Sequence, residues 1–509
     1  MIKFKLVSKI DLATTDSVFL YGDDVPAKML PFKKEEASYL QRRREEDKEA
    51  LATVEHYGKD GSCATIYVQN FNVELAEGES QEKLRRAAAR IVELQRAKWS
   101  RQEPTGHPLT VSGAGVIPED MMAFLEGLVL SDYRFDKYKT KKEPWLSEVL
   151  VDSRFLDAAE LDNNVKLWRR ICQCRDWVNE PVMYLNAETF ATQLADEGKG
   201  AGVKVTVLGQ RQIESLKMGG LLAVNRGSVD EARFVVMEYK PKKPVNAKPI
   251  ALVGKGIMYD TGGLNIKPDD YMQEMKSDMA GAATMAATVL AAADCKLPVH
   301  VMAFLPMTDN RPNGNAYAAD DILTMLDGTT VEVVNTDAEG RLILADAIAY
   351  ANQFDPELII DAATLTGAAV RAIGTYGIAA MQQEAENPMA MMKIVGNSVY
   401  ERLVEFPFWK EYDELIKSDM ADIKNCGIAQ AGTITAGKFL AHFAKHPYIH
   451  LDIAGVAYFT KKQSPYGVGA TGYGIRMLYA FLQMQDTLKE GDAAVRRTGR
   501  TSKKATNKK

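Results

Sequence analysis

The chain has 509 residues, of which 46% are hydrophobic and 26% are charged, and its formal net charge is -5. This composition can bury a large core, which excludes a mostly disordered protein, a collagen-like repeat and a disulfide-stapled miniprotein. The near balance of acidic and basic residues gives no overall attraction to nucleic acid or to an anionic membrane. Five irregularly spaced cysteines and the absence of a signal-peptide pattern favour a cytoplasmic protein with reduced thiols and no membrane segment.

The N-terminal third predicts a small α/β domain over residues 1–160. Mixed charges over 33–49 indicate a solvated helix face, and the apolar spacing over 80–99 predicts an amphipathic helix. Residues 64–73 have the pattern of a strand. Residues 161–178 predict a linker helix, which ends ahead of a proline because helical geometry is disfavoured just before that residue.

From residue 179 the pattern changes to short apolar strands that alternate with alanine-rich helices. The expected strands are 203–208, 233–239, 249–253, 299–305, 330–334, 358–361 and 448–453, and the clearest helices are 282–293 and 342–352. This alternation predicts a larger C-terminal α/β domain over 179–487 with a mostly parallel central sheet. In such sheets the functional groups lie at the carboxyl ends of the strands.

The last segment, 488–509, is expected to be a disordered basic tail. Residues 493–509 contain seven lysine or arginine residues and no acid, and they have no apolar face with which to pack. The composition is also compatible with binding to nucleic acid or another anionic partner.

Four acidic residues follow predicted strands or precede predicted helices, beside glycine-rich turns. They are Asp260, Asp278, Asp337 and Glu339, and the basic residues Lys255, Lys267 and Arg341 accompany them in the same segments. We expect the acids to converge above one edge of the sheet. Because four carboxylates at close range repel one another, this arrangement requires cations between them. Oxygen-rich coordination suits two divalent metals about 3.5–4 Å apart.

Three other interpretations of the polar residues are weaker. Each acid alone is compatible with a helix cap or a surface group, but the set of four with its basic neighbours favours a shared site. None of the six histidines lies in these segments and there is no H-E-x-x-H, which excludes a histidine-based zincin. His450 and Asp452 share one face of a predicted strand, but without a nearby nucleophile a structural role is favoured.

Three segments carry a recognisable pattern: GKGIMYDTGGLNIKP, MKSDMAGAA and NTDAEGRLILADA. They resemble the signatures of the leucyl aminopeptidase (M17) family, the cytosol aminopeptidases, and the resemblance covers about residues 179 to 485. Thr261 stands where many members have serine, and Ala280 where many have glycine. Both side chains are small, so the metal site is retained.

The resemblance implies that the larger domain is a catalytic domain that binds two divalent ions per subunit, Zn or Mn, with Mg or Co as alternatives. The tighter ion would be held by Lys255, Asp260, Asp278 and Glu339, and the more exchangeable ion by Asp260, Asp337 and Glu339. Lys255 would bind as a neutral amine, which a nearby dication enforces.

The resemblance also implies hydrolysis of N-terminal leucine and other apolar residues from peptides by a water shared between the ions. Lys267 would polarise the developing oxyanion, and Arg341 would hold a bicarbonate that acts as the base. Met275, Thr364 and Gly367 would line the pocket for the first side chain. Because such a pocket offers no cation, acidic first residues are expected to be poor substrates. The family's usual assembly is a homohexamer, a dimer of trimers.

Two alternatives stay open at this point. A different two-metal hydrolase, such as a phosphatase, would use similar carboxylates, and release of leucine or of phosphate from model substrates separates the two. A DNA-binding role, known for some bacterial family members, would depend mainly on the basic tail. A salt-dependent gel shift that disappears on removal of residues 493–509 would support it.

Overall fold

The computed structural model describes residues 1–12, 15–47, 50–57, 63–71, 78–100 and 105–485. The chain forms two compact units, one of residues 1–172, 397–400 and 459–469, the other of residues 173–396, 401–458 and 470 onward. The tail predicted at 488–509 lies outside the described residues. None of the helices in the described ranges combines the length and the hydrophobicity that a membrane span needs.

The first unit is an α/β fold around a six-stranded sheet. Its strands and helices are β1 (Lys3–Val7), β2 (Ser17–Gly22), α1 (Lys34–Glu46), β3 (Leu51–Tyr57), β4 (Cys63–Phe71), α2 (Glu79–Trp99), β5 (Gly106–Ala114), α3 (Pro118–Asp132) and β6 (Trp145–Asp152). The strand order is β1-β6-β5-β2-β4-β3, and only the edge pair β3–β4 is antiparallel. All six residues of β2 are buried, as expected for a central strand of a parallel sheet.

Helix α4 (Ala158–Asn179) follows β6 and includes the segment 161–178 in which a linker helix is predicted. The linking role of this segment and the domain limits 1–160 and 179–487 stay predictions.

The remaining elements begin after α4. The strands are β7 (Lys204–Leu208), β8 (Arg233–Tyr239), β9 (Ile250–Gly254), β10 (Gly256–Asp260), β11 (Val301–Asn310), β12 (Ile322–Thr324), β13 (Thr330–Glu332), β14 (Leu358–Ala363), β15 (Ile378–Gln383), β16 (Leu403–Glu405), β17 (Ile423–Lys424), β18 (Tyr448–Asp452), β19 (Tyr458–Phe459) and β20 (Gly469–Ala470). The helices are α5 (Ala187–Ala201), α6 (Gln210–Leu216), α7 (Gly219–Asn225), α8 (Asp269–Met272), α9 (Ala280–Asp294), α10 (Gly340–Ala351), α11 (Gly367–Ile373), α12 (Glu386–Ser398), α13 (Gly432–Ala441) and α14 (Ile475–Gln483).

The second unit is built on a nine-stranded sheet with the order β16-β15-β18-β14-β9-β11-β8-β7, and β10 pairs with β11. The central strands β18, β14, β9 and β11 are parallel, whereas β15–β18, β11–β8 and β8–β7 are antiparallel pairs. The prediction of a mostly parallel central sheet in an α/β fold is therefore confirmed. Strand β13, in the segment predicted at 330–334, instead pairs with β12 and β17 in a separate three-stranded sheet.

Helices cover both faces of this sheet. Helix α9 packs on β9, β11 and β14, and it is buried from Ala280 to Ala293 because its sequence there is rich in alanine and free of charge. Helix α10 packs with α7 and α13 against the other face, in a core that includes Phe304 and Phe439. Burial on both faces explains why the central strands are almost continuously apolar.

Helix α9 meets strands β9 and β14 backbone to backbone at two glycines. A Cβ on Gly281 would lie 2.1 Å from the carbonyl oxygen of Ala362, and a Cβ on Gly254 would lie 2.6 Å from the Cα of Ala282. The amide of Ala282 donates to the carbonyl of Lys255 at 2.8 Å, and the amide of Lys255 donates to the carbonyl of Ala362 at 3.1 Å. These contacts hold the start of α9 against the ends of β9 and β14.

We predict that Gly281→Ala lowers the free energy of unfolding by about 1–3 kcal/mol, because the added methyl group has no room beside the Ala362 carbonyl. Denaturant unfolding measures the change. The matched control is Gly200→Ala in α5, where a Cβ would have no neighbour within 4 Å, and it should stabilise by roughly 0.5–1 kcal/mol. Equal stabilisation by both substitutions would contradict the close contact at Gly281.

Candidate active site

Five polar residues lie where parallel strands end along one edge of the central sheet. Lys255 follows β9, Asp260 ends β10, Asn310 ends β11, Thr364 follows β14 and Asp452 ends β18. The carboxyl ends of parallel strands meet at the same edge of the sheet, so the strand order alone brings these side chains close together.

The other candidate residues reach this edge from helix starts and loops. Asp278 lies in the 3-10 helix Met275–Met279, directly before α9. Asp337 and Glu339 lie in the turn that leads into α10, and Arg341 is the second residue of that helix. Lys267 lies in the loop between β10 and α8.

Lys255 lies between two of the acids. Its Nζ is 2.8 Å from Oδ2 of Asp278 and 2.9 Å from Oε1 of Glu339, and it donates to the carbonyl oxygen of Thr364 at 3.0 Å. The side chains of Lys255, Asp278 and Glu339 are all buried. This half of the cluster is closed to solvent.

Lys267 lies between the other two acids. Its Nζ is 2.8 Å from Oδ2 of Asp260 and 2.7 Å from Oδ1 of Asp337. The Asp337 side chain is 34% exposed and that of Lys267 is 15% exposed, so this half of the cluster opens towards solvent. The structure therefore brings the four acids together with Lys255 and Lys267, as the sequence predicts.

The electrostatics of the cluster are dominated by burial and by an excess of negative charge. Burial raises the pKa values of Asp278 and Glu339, and the charge of Asp260 raises both further. Burial alone would lower the pKa of Lys255, but the carboxylates of Asp278 and Glu339 raise it above its ordinary value. With all groups charged, four carboxylates face two ammonium groups, which leaves two negative charges without a partner.

The donor set fits a divalent cation. Asp260, Asp337 and Glu339 each offer one carboxylate oxygen, and these atoms lie within 4.8 Å of one another. Oε2 of Glu339 is buried and has no hydrogen-bond partner among the described residues. Carboxylate oxygens at the end of a parallel sheet, with more acids than the local bases neutralise, are typical of metal-dependent hydrolases.

Comparison with known proteins agrees with this class. Residues 172–479 match the family model for the catalytic domain of the cytosol aminopeptidase family, peptidase family M17. A probable cytosol aminopeptidase of Syntrophotalea carbinolica is 40% identical over 419 residues, which are 79% of this chain and 82% of that relative. One of Chlorobaculum tepidum is 45% identical over 386 residues, which are 72% of this chain and 76% of that relative.

A solved structure, the bottromycin maturation enzyme BotP in complex with Mn, is similar with a TM-score of 0.79 and 30% sequence identity. The similarity covers 93% of this chain and 100% of that chain. This chain therefore belongs to the cytosol aminopeptidase family and is a metal-dependent aminopeptidase, a hydrolase that acts on the ends of peptides.

The three residues predicted to line a pocket lie on two neighbouring segments. The hydroxyl of Thr364 donates to Oδ1 of Asp278 at 2.7 Å, so Thr364 touches the acidic cluster. Met275 is half-buried and precedes Asp278 by one turn in the same 3-10 helix. Gly367 is exposed and is the first residue of α11. Their role as a pocket stays a prediction.

Arg341 stands apart from the two lysines. Its Nη1 donates to the carbonyl oxygen of Asn425 at 2.8 Å, and its Nε is buried without a hydrogen-bond partner in the described part of the chain. Burial lowers the pKa of this guanidinium, although Cys426 and Glu339 oppose the effect. Arg341 therefore keeps a buried donor, Nε, that no described residue uses.

Two buried asparagines position the acids, and sequence reasoning missed both. Nδ2 of Asn310 donates to Oδ1 of Asp260 at 2.9 Å and to the carbonyl of Thr336 at 3.0 Å. Oδ1 of Asn425 accepts from the amide of Val334 at 2.8 Å, and its Nδ2 donates to the carbonyl of Asn335 at 2.8 Å. The two side chains hold the loop that carries Asp337 and Glu339.

The residues His450 and Asp452 do not form a pair of their own. Nδ1 of His450 is 2.8 Å from Oδ1 of Asp361, and both side chains are fully buried. Asp452 accepts from the hydroxyl of Thr366 at 2.7 Å and from the amide of Leu365 at 3.2 Å. Asp452 therefore anchors the turn that follows β14.

We predict that Asn310→Ala weakens Mn²⁺ binding by about 10–100-fold, because the carboxylate of Asp260 loses the donor that orients it. Calorimetric titration of the chelator-stripped protein measures the affinity. The control is Asn313→Ala, three residues further along and exposed, which should leave the affinity unchanged. Equal affinities in Asn310→Ala and the unmodified protein would show that Asn310 has no positioning role.

Proposed function

We propose that this chain removes leucine and other apolar residues from the N-terminus of peptides, using two divalent ions per subunit. Zn or Mn are the expected ions, and Mg or Co are alternatives. The observation that carries the proposal is that each of two lysines lies between two of four clustered acids, an arrangement with an unbalanced negative charge.

One ion would be held by Lys255, Asp260, Asp278 and Glu339, and the other by Asp260, Asp337 and Glu339. When bound, these ions would polarise the scissile carbonyl and lower the pKa of the attacking water. Lys255 would release its proton as it becomes a ligand, because an amine binds a metal only through its free lone pair. The buried Oε2 of Glu339, which has no hydrogen-bond partner among the described residues, supports the place of this side chain in both ligand sets.

Lys267 would stabilise the negative charge that develops on the carbonyl oxygen during attack. Its ammonium lies in the more open half of the cluster, between Asp260 and Asp337, where a substrate can approach it. Burial alone would lower the pKa of Lys267, but the charges of the clustered acids, Asp260 foremost, raise it above its ordinary value and keep the amine protonated. A preorganised donor of this kind typically contributes about 3–4 kcal/mol to stabilisation of the transition state.

Arg341 would hold a bicarbonate that serves as the general base. Two features support this role. Its buried Nε has no hydrogen-bond partner among the described residues, and it lies in the first turn of α10, where helix amides favour an anion. The carbonyl of Asn425 fixes the guanidinium through Nη1, so the remaining donors keep a defined direction.

The first side chain of the substrate would lie against Met275, Thr364 and Gly367. The contact between Thr364 and Asp278 supports this placement because it joins the pocket to the acidic cluster. The working assembly would be a homohexamer, a dimer of trimers, in the cytoplasm, with peptides rather than nucleic acid as partners. The name of the family to which the chain belongs supports the cytoplasmic location.

We predict that cleavage requires a free amino terminus. A leucyl reporter should be hydrolysed by the Mn²⁺-loaded enzyme, whereas its N-acetyl counterpart should react at least about 10²-fold more slowly. Acetylation delocalises the amine's lone pair into an amide, so the nitrogen can neither coordinate a metal nor carry a positive charge towards the acidic cluster. It also adds bulk where the substrate must be positioned. Release of the reporter group measures both rates.

Equal rates for the free and acetylated leucyl reporters would contradict the aminopeptidase mechanism. A phosphate ester provides the control for substrate class. Faster release of phosphate than of leucine would favour the phosphatase alternative instead.

A further inference from the structure

One arginine beside the proposed pocket has no acidic partner among the residues that the structure describes. Arg371 lies in α11, four residues after Gly367. Helical side chains lean towards the N-terminus of their helix, so a residue covers the position one turn before it. A Cβ built on Gly367 would lie 3.3 Å from Nη1 of Arg371, so the guanidinium lies next to the space that the glycine leaves open.

The position of Gly367 is fixed relative to the acidic cluster. The carbonyl of Thr364 accepts from Lys255 at 3.0 Å, and the hydroxyl of Thr366 donates to Asp452 at 2.7 Å. Only two residues separate Thr364 from Gly367, and both are tied to Asp452 at the end of β18. Arg371 therefore extends from a short, anchored turn that begins at the acidic cluster.

The charge of Arg371 is available for a ligand. Its side chain is exposed, and it forms no ion pair with any acid in the ranges that the structure describes. The planar fork of a guanidinium matches the two oxygens of a carboxylate. Such charge-assisted, bidentate pairs are stronger than neutral hydrogen bonds.

We propose that Arg371 binds a carboxylate on the side chain of the substrate's first residue, which makes N-terminal Glu and Asp substrates of this enzyme. The inference rests on the proposed function, in which Gly367 lines the pocket for that side chain. It reverses the expectation from the sequence that acidic first residues are poor substrates because the pocket offers no cation. The glycine at position 367 is what lets the guanidinium lie beside the pocket.

The test compares kcat/KM for glutamyl and glutaminyl reporters, which differ in charge but hardly in shape. In Arg371→Met, the ratio of glutamyl to glutaminyl kcat/KM should fall by about tenfold, the loss expected for one charge-assisted pair. In Arg371→Lys, the ratio should lie between those of the unmodified enzyme and Arg371→Met, because lysine keeps the charge. In the unmodified enzyme the ratio should also decrease as salt is raised, because salt screens exposed charges.

The matched control is Arg211→Met, which removes another exposed arginine, on α6, and should not change the ratio. An unchanged ratio in Arg371→Met would overturn the proposal, whatever the absolute rates. A leucyl reporter assayed in parallel distinguishes failure of the Arg371 assignment from failure of the proposed function. If leucine is released and the ratio is unaffected, only the assignment of Arg371 fails, whereas absence of leucine release from the Mn²⁺-loaded enzyme contradicts the proposed function itself.

Discussion

Repulsion among four gathered carboxylates is the constraint that the segments around the active site must withstand. Lys255 and Lys267 each contact two of the acids, so neither lysine can neutralise its neighbours completely. Burial makes the remaining charge destabilising, because an unpaired charge in a low-dielectric interior loses its hydration. Bound cations would relieve this cost, and the same excess of charge that destabilises the cluster without metal would give it affinity for metal.

A cluster of this kind needs a rigid frame, because its members repel one another. The frame consists of contacts that hold backbone segments together at short range. Gly254 and Gly281 let β9 and α9 touch, which brings Lys255 near Asp278. Asn310 and Asn425 hold the loop of Asp337 and Glu339 from two sides. If the cluster binds metal as proposed, stability and metal binding are coupled through the same few buried groups.

The sequence predicts the acids, their lysines and the main elements well, because these depend on local patterns. The alanine-rich sequence of α9 indicates a buried helix, and the apolar runs of the central strands indicate buried strands. The acids lie in segments that resemble family signatures. Asn310 and Asn425 carry no local signal, since their importance comes from partners more than 20 residues away. The pairing of β13 outside the main sheet and the position of Arg371 over Gly367 likewise depend on tertiary geometry.

The most direct test of the central claim is the free energy of unfolding of the chelator-stripped protein as a function of Mn²⁺ concentration. If the clustered acids bind cations, stability should rise with concentration, by about 2.7 kcal/mol at one hundred times the dissociation constant. Glu339→Gln replaces a buried acid whose pKa is raised by burial and by the charge of Asp260. At a pH where that acid is ionised, this variant should be more stable than the unmodified protein without metal, and it should respond less to Mn²⁺. A stability that does not depend on Mn²⁺, together with a less stable Glu339→Gln variant, would contradict the account.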